Sequence, residues 1–196
     1  MARKKSSGLD KPNINEIETE LMRIKNTRKF CSIFKSTIFS LLSVAAVAVL
    51  ICVLIMPVLR IYGSSMETTL HDGNIVLSVK STKFKSGDLI AFYYNNKVLV
   101  KRVIADSGQW VDIDRLGYVS VDDVDLEEPY VTERSVGECN IILPYQVPEG
   151  RIFVMGDHRS TSVDSRSTSV GCVAEEQIVG KIVFRVWPLS EFGFLQ

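Results

Sequence analysis

The sequence is poor in the residues that build metal and cofactor sites. It contains two histidines, His71 and His158, which lie far apart along the chain, and its four cysteines do not have the spacing of metal ligands. It also lacks a glycine-rich loop of the kind that cradles phosphate groups. We therefore predict that the protein works without a metal ion or cofactor, so that its chemistry comes from its own side chains.

An excess of charge of one sign is also missing. The 23 basic and 23 acidic residues balance, so the composition gives no indication of nucleic-acid binding. The balance conceals an asymmetry, because residues 1–35 contain nine basic and four acidic residues. Within this basic arm we predict a short amphipathic helix, because apolar residues recur at helical spacing, at Ile14, Ile17, Leu21 and Ile24.

Charged residues are absent altogether from residues 36–59. At about 1.5 Å per residue, a helix of this length crosses about 30 Å of hydrocarbon. Its only proline, Pro57, falls in the last turn, where proline is tolerated. We predict a single transmembrane helix over 36–59. Because basic residues concentrate before it, the N-terminus is expected in the cytoplasm and residues 60–196 outside the cell membrane.

The exported part has the pattern of a mainly β domain. Short alternating or β-branched runs, separated by turn residues, occur at 74–80, 88–94, 97–104, 109–114, 118–121, 151–156 and 178–187. The acidic stretch 122–150 between two strand blocks indicates an irregular insertion. Cys139 and Cys172 also lie in this part, where a disulfide is allowed but not required.

Ser65 is a candidate nucleophile. It lies among small residues in the stretch YGSSMETTLHDG, residues 62–73, which is bounded by Gly63 and Gly73. Backbone N–H groups in such a loop can be aimed at an oxyanion. The alternative is a serine that only forms a turn.

Lys101 is the candidate base. On a strand it shares one face with Leu99 and Val103, so it is placed for burial among aliphatic side chains. Lowering a lysine pKa from about 10.4 by about 3 units costs about 4 kcal/mol, which burial can supply. The alternative is a lysine that lays its stem over apolar surface and keeps its ammonium in water.

A third polar cluster occupies residues 156–166, GDHRSTSVDSR. A carboxylate and a guanidinium in such a segment can form a bidentate pair that fixes a loop, and a short hydroxyl can orient an amine. The candidates for these roles are Asp164, Arg166 and Ser162. The alternative is a solvated polar loop.

These motifs, in this order after an N-terminal span, resemble those of bacterial type I signal peptidases, which are membrane-anchored serine proteases that remove signal peptides from exported proteins. The family motif G-x-S-M-x-P-T-L is matched at 63–70, and K-R-V at 101–103. The box G-D-N-x-x-x-S-x-D-S-R is matched at 156–166. Residues 87–92 and 180–189 resemble two further family segments.

The resemblance implies a role for each matched residue. Ser65 is expected to be the nucleophile, and Lys101 the general base that takes its proton. Ser162 is expected to orient the lysine, with Asp164 and Arg166 as a supporting ion pair. The implied fold is mainly β: a single N-terminal transmembrane helix, then an antiparallel β-sheet catalytic domain with a small irregular β insertion at about 106–150.

The resemblance also implies the substrates and partners. The expected substrates are preproteins whose signal peptides end in small residues, as at A-x-A-type sites. Alignment with the family suggests that their pocket is lined by Ile61, Met66, Leu70 and Val100. The lipid bilayer and a nearby secretion translocase are the other expected partners, whereas nucleic acid and cofactors are not expected.

The chain departs from the family pattern at four places. Thr68 stands where the family has proline, and His158 where it has asparagine. The segment 105–109 reads ADSGQ in place of G-L-P-G-D. Gly63 occupies a position where some members have a serine that lines the oxyanion hole, so the backbone N–H of Ser65 is the expected donor.

Two other functions remain open at this point. A Ser-His-Asp hydrolase could combine Ser65 with His71 or His158, although it leaves the lysine motif unexplained. A membrane-tethered relative could bind exported chains or organise an envelope assembly without cutting them. Soluble self-cleaving repressors also use serine and lysine, but the predicted span and the lack of a DNA-binding segment argue against them.

Overall fold

The structure, a computed structural model, describes residues 13–195. The side chains of Glu16 and of residues 51–55 are not included in that description. The first twelve residues of the predicted basic arm, 1–35, lie outside the described residues. The chain divides into two compact units, residues 1–50 and 51–196.

One helix, α1 (Ile14–Ile55), occupies the N-terminal part of the description. It contains both the predicted amphipathic helix and most of the predicted span, which are therefore parts of one element. Within it, Ile17–Leu50 includes a stretch that is long and apolar enough to cross a bilayer, judged by length and composition. The boundary predicted at residue 59 is wrong: the helix ends at Ile55, because Pro57 lacks a backbone N–H and disfavours helical conformation at Met56.

The rest of the chain is mainly antiparallel β-sheet, as the sequence predicts. Its strands are β1 (Val58–Arg60), β2 (Ile75–Val79), β3 (Leu89–Tyr94), β4 (Lys97–Ala105), β5 (Trp110–Ile113), β6 (Val119–Val121), β7 (Val124–Asp125), β8 (Tyr145–Gln146), β9 (Arg151–Met155), β10 (Val173–Ala174), β11 (Ile178–Trp187) and β12 (Gly193–Phe194). Short 3₁₀ helices cover Glu175–Gln177 and Leu189–Glu191.

The larger sheet has the strand order β1-β2-β11-β3-β4-β9-β10, and β12 pairs with β11. The hairpin β3–β4 turns at Asn95 and Asn96, whose φ values of 43° and 62° are those of a tight primed turn. Pairing continues from Tyr94 opposite Lys97 to Leu89 opposite Arg102. On its other edge, β4 pairs with β9 only through its second half, between Arg102 and Ala105. The first half of β4 therefore has an unpaired edge among the described strands.

The predicted insertion contains a sheet of its own, in the order β7-β6-β5-β8. Its strands lie within residues 110–146, and the long connection from β7 to β8 contains no strand. The insertion is therefore regular in its first part and irregular in its second.

A buried apolar cluster joins the two sheets. Ile104 on β4 and Phe153 and Met155 on β9 pack with Val111 on β5 and Val119 on β6. Phe153 is fully buried and its ring lies 6.0 Å from that of Tyr145 on β8. The larger sheet thus holds the insertion by apolar burial.

Cys139 and Cys172 are both free thiols in the structure, so the disulfide that the sequence left open is not formed. Cys172 is buried in the cluster between the sheets. That burial raises the pKa of its thiol to about 11.

Replacing Phe153 should loosen the insertion from the larger sheet. We expect Phe153→Ala to lower the free energy of unfolding by about 3–5 kcal/mol, because it removes a large ring and leaves a cavity between the sheets. Leu116→Ala, at a position that is 70% exposed, is the control and should change it by less than about 0.5 kcal/mol. Urea unfolding of the full chain in detergent measures both; equal effects would contradict a joining role for this cluster.

Candidate active site

Ser65 lies in a loop that closes on itself. The N–H of Gly63 donates to Asp72 Oδ1 (2.8 Å), and the N–H of Gly73 donates to the carbonyl of Ile61 (3.0 Å). Gly63 and Gly73 have φ values of +88° and +83°, a backbone conformation that other residues rarely adopt. The glycines that bound the stretch in the sequence therefore make its closure possible.

Inside this loop the backbone forms a tight turn around the serine. Leu70 N–H donates to the carbonyl of Met66 (2.8 Å), and the side chains of both residues are buried. The carbonyl of Ser65 itself accepts from the N–H of His158 (3.1 Å). The backbone at Ser65 is thus held by two contacts: the buried side chains of Met66 and Leu70, and the hydrogen bond from the 156–166 segment.

Lys101 lies on β4 and is 3% exposed. Burial lowers the pKa of its ammonium from the ordinary 10.5 to about 8, with Asp164 opposing that shift and Arg166 adding to it. Lys101 and Ser65 line the same depression, together with Leu99 and Val163. The structure therefore brings the two residues that sequence analysis paired to one place, with the lysine desolvated.

The 156–166 segment packs against the serine loop at Gly156. A Cβ atom built on Gly156 would lie 2.2 Å from Ser162 Oγ and 2.5 Å from the carbonyl oxygen of Ser65. Only glycine allows this approach. Ser162 is 2% exposed, and its hydroxyl has no hydrogen-bond partner among the described residues, so its hydrogen-bonding capacity is unused in this state.

Asp164 and Arg166 form a buried, bidentate ion pair. Arg166 Nε and Nη2 donate to the two carboxylate oxygens at 2.8 and 2.9 Å. Asp164 also accepts from the N–H of Gly156 (2.9 Å). Arg166 donates further to the carbonyls of Val136 (2.8 Å) and Arg159 (2.9 Å). The pair consequently fixes both ends of the segment and ties it to the insertion.

A second buried ion pair, between Arg102 and Asp157, was not singled out from the sequence. Arg102 Nε and Nη2 donate to Asp157 at 2.9 and 2.8 Å, and Thr69 Oγ1 donates to the same carboxylate at 2.5 Å. The guanidinium also lies 3.8 Å from the ring centre of Tyr130. The sequence could have indicated a separate environment for Arg102, because adjacent side chains on a strand point to opposite faces and Arg102 must therefore point away from Lys101.

A third buried pair joins Arg159 to Glu128 in the insertion. Both side chains are 1% exposed; Arg159 Nη1 donates to one carboxylate oxygen at 3.2 Å and Nη2 to the other. Arg159 Nε also donates to the carbonyl of Gly156 (3.1 Å). Glu128 lies among many acidic residues of the insertion, and nothing in the sequence distinguishes it from them.

Three of the four predicted pocket residues face a depression beside Ser65. Ile61, Met66 and Val100 line it, and Val98 and Leu99 of the unpaired half of β4 contribute as well. Leu70 is fully buried in the core cluster beneath, with Ile61 and Met66. It therefore supports the pocket from inside and is not part of its surface.

The two histidines lie elsewhere. Neither belongs to the residues that line the two depressions containing Ser65. The side chain of His158 lines a different depression, with Glu67 and Thr68, and its Nδ1 lies 3.8 Å from Glu67 Oε2. The geometry does not favour the Ser-His-Asp arrangement.

Comparison with known proteins finds a matching family and similar sequences. The family described as "Signal peptidase, peptidase S26" matches residues 34–187. Signal peptidase I of Bacillus licheniformis is 32% identical over 175 residues, which is 80% of this chain and 92% of that protein. Thylakoidal processing peptidase 1 of Arabidopsis thaliana is 35% identical over 146 residues, 66% of this chain. The match covers 41% of the Arabidopsis protein, so the chain spans less than half of its length.

Among solved structures, a crystal structure of a signal peptidase I from Enterococcus faecalis V583 is similar, with 28% sequence identity. The superposition covers 50% of this chain and 96% of that chain, with a TM-score of 0.42.

The desolvation of Lys101 should be measurable as a loss of stability. The pKa of Lys101 is about 8 in the folded chain and 10.5 in the unfolded chain. Below pH 8 the lysine is charged in both states, and burial of that charge lowers the free energy of unfolding by about 3 kcal/mol. We expect Lys101→Met to raise the free energy of unfolding by about that amount at pH 7, with the gain shrinking between pH 8 and 10.5.

Urea unfolding of the full chain in detergent measures this gain. Lys97→Met is the matched control, because Lys97 lies on the same strand and is exposed. A gain that is equal for both variants, or that persists above pH 10.5, would contradict the desolvation of Lys101.

Proposed function

We propose that this chain, which belongs to the signal peptidase family S26, is a membrane-anchored serine endopeptidase that removes signal peptides from exported preproteins. The observation that carries the proposal is that Ser65 and Lys101 line one depression, with burial holding the pKa of the lysine at about 8. A lysine in that state is partly neutral near physiological pH, which a general base requires.

The proposed reaction uses these side chains alone. Lys101 takes the proton of Ser65 as Oγ attacks the carbonyl of the scissile peptide bond. The lysine then gives that proton to the leaving amine, and an acyl-enzyme remains on Ser65. Water, activated by the neutral lysine, hydrolyses the ester. Ser162, whose buried hydroxyl has no partner among the described residues, is proposed to orient the lysine during these transfers.

The backbone N–H of Ser65 is the proposed oxyanion donor. It donates to no acceptor among the described residues, whereas the neighbouring carbonyl of Ser65 is held by His158. A donor that is fixed in place and otherwise unsatisfied stabilises developing charge without reorganisation.

The unpaired half of β4 is the proposed docking edge for the substrate. Val98 to Val100 lie beside Ser65, and none of the strands that the structure describes pairs with them on the side away from β3. An extended peptide can add there as a strand, which gives main-chain hydrogen bonds without sequence specificity. The apolar lining by Ile61, Met66 and Val100 suits small side chains before the cut, as at A-x-A-type sites.

Anchoring follows from the N-terminal helix in this proposal. The span in α1 crosses the cell membrane, the basic arm stays in the cytoplasm, and residues 60–196 lie outside the membrane, on its outer side. Signal peptides also insert in the bilayer, so a shared membrane raises the effective concentration of the substrate. A position near the secretion translocase would supply preproteins as they emerge.

The test is cleavage of a preprotein by the purified full chain in detergent. We expect Ser65→Ala and Lys101→Met to lose at least about a thousandfold in rate, because each removes a group that reacts. Ser64→Ala, at the exposed neighbouring serine, is the matched control and should retain activity, as should His71→Ala. If the unaltered chain binds the preprotein without cutting it, the non-cutting relative is the correct assignment.

The rate should depend on pH through Lys101. Because the neutral amine is the active form, kcat/KM should fall about tenfold per pH unit below pH 8 and level off above it. Initial rates from pH 5 to pH 10 measure this profile. A profile centred near the ordinary pKa of histidine would instead support a histidine base.

A further inference from the structure

The irregular part of the insertion contacts every segment that carries a site residue. We name residues 128–136 the strap. Glu128 holds Arg159, the ring of Tyr130 lies against Arg102, and the carbonyl of Val136 accepts from Arg166. These contacts reach β4 and both ends of the 156–166 segment, so the strap joins parts of the site that are remote in the sequence.

The strap also contacts the serine loop, through Thr68. Thr68 Oγ1 donates to the carbonyl of Tyr130 at 2.8 Å. This is the position at which the chain has threonine in place of the family's proline, and a proline has no side-chain donor with which to form such a bond. The contact therefore depends on the departure from the family motif at this position.

The backbone of Thr68 has an unfavourable conformation that needs support from surrounding contacts. Its φ is +108°, a conformation that a β-branched residue rarely adopts. Such a conformation persists only when surrounding contacts hold it. Proline, with φ near −65°, could not occupy it. The hydrogen bond to the strap is the side-chain contact that holds this residue.

Thr68 is three residues from the nucleophile and lies within the same turn. Leu70 N–H and Thr69 N–H both donate to the carbonyl of Met66, so the backbone at Thr68 is enclosed by that turn. Ser65 immediately precedes Met66. A change of backbone conformation at Thr68 consequently moves the turn that sets the direction of Ser65 Oγ and of its N–H.

We propose that Thr68 is a positioning residue, which holds the nucleophile turn in its reactive geometry by bonding to the strap. The catalytic part of this inference rests on the proposed function; the structural part does not. A misdirected nucleophile weakens the reacting geometry more than it weakens binding of the substrate. Loss of the hydroxyl should therefore lower kcat more than it raises KM.

The experiment compares Thr68→Val with Thr68→Ser in the full chain in detergent. Valine keeps the shape of threonine but cannot donate, and serine keeps the donor. We expect kcat for preprotein cleavage to fall about tenfold or more in Thr68→Val and to recover to within about threefold in Thr68→Ser. Thr82→Val, the same change at an exposed threonine, should have no effect.

A second readout does not need activity. Amide hydrogen exchange over residues 62–73 should be faster in Thr68→Val than in the unaltered chain, and unchanged in Thr68→Ser and Thr82→Val. Thr68→Pro, which restores the family residue, should also exchange faster and cut more slowly, because its φ does not fit.

The outcomes separate the two proposals. If the unaltered chain cuts and Thr68→Val keeps its kcat, the positioning role is wrong while the proposed function stands. If no form cuts, the proposed function is wrong, and hydrogen exchange alone decides the role of Thr68. Equal exchange in Thr68→Val and the unaltered chain would overturn the inference in either case.

Discussion

The burial of the Lys101 ammonium is the constraint on which the rest of the site depends. An ammonium taken out of water favours its neutral form, and this effect, the largest acting on Lys101, brings its pKa to about 8. A carboxylate in direct contact would restore the charge. Among the described residues Lys101 forms no ion pair. The two carboxylates whose charges act on it, Asp157 and Asp164, are bound by Arg102 and Arg166, and the nearby buried pair Arg159–Glu128 is likewise complete in itself.

These three ion pairs also explain why so polar a site can be buried. A buried charge is tolerated when it is paired and its remaining hydrogen-bonding groups are satisfied. Arg166 meets this requirement with carbonyls of the insertion, and Arg102 with the carbonyl of Gly87 and the hydroxyl of Thr69. The pairs thus keep the loops rigid while leaving the lysine without a counter-ion.

Strand β4 and its pairing with β9 position most of the site residues. Alternation along β4 directs Lys101 to the depression that Ser65 also lines, and Arg102 to the opposite face, where Asp157 binds it. The same strand is paired with β9 over its second half only, which leaves Val98 to Val100 open beside the serine loop. Close packing at Gly156 then brings the loop against the 156–166 segment.

Much of the architecture could be predicted from the sequence because it depends on local signals. Alternating runs predicted the main strands, and the uncharged run predicted a long N-terminal helix. The helix was predicted to end at residue 59, but it ends at Ile55 because of Pro57. The pairing of Ser65 with Lys101 was reached through motif resemblance. In the insertion, the runs at 109–114 and 118–121 predicted β5 and β6, whereas β7 and β8 lie in the stretch 122–150 that was predicted as irregular, because such short strands gain their stability from partners that are distant in sequence.

The sequence by itself determined which residue types could react, and the order of the motifs that carry them, because these are properties of local composition and spacing. Only the tertiary structure decided their environment. It showed that Leu70 supports the pocket from beneath, that Glu128 is the acid that neutralises Arg159, and that Thr68 bonds to the strap. The reason is physical: burial, ion pairing and the pKa of Lys101 depend on groups that only folding brings within a few ångströms of each other.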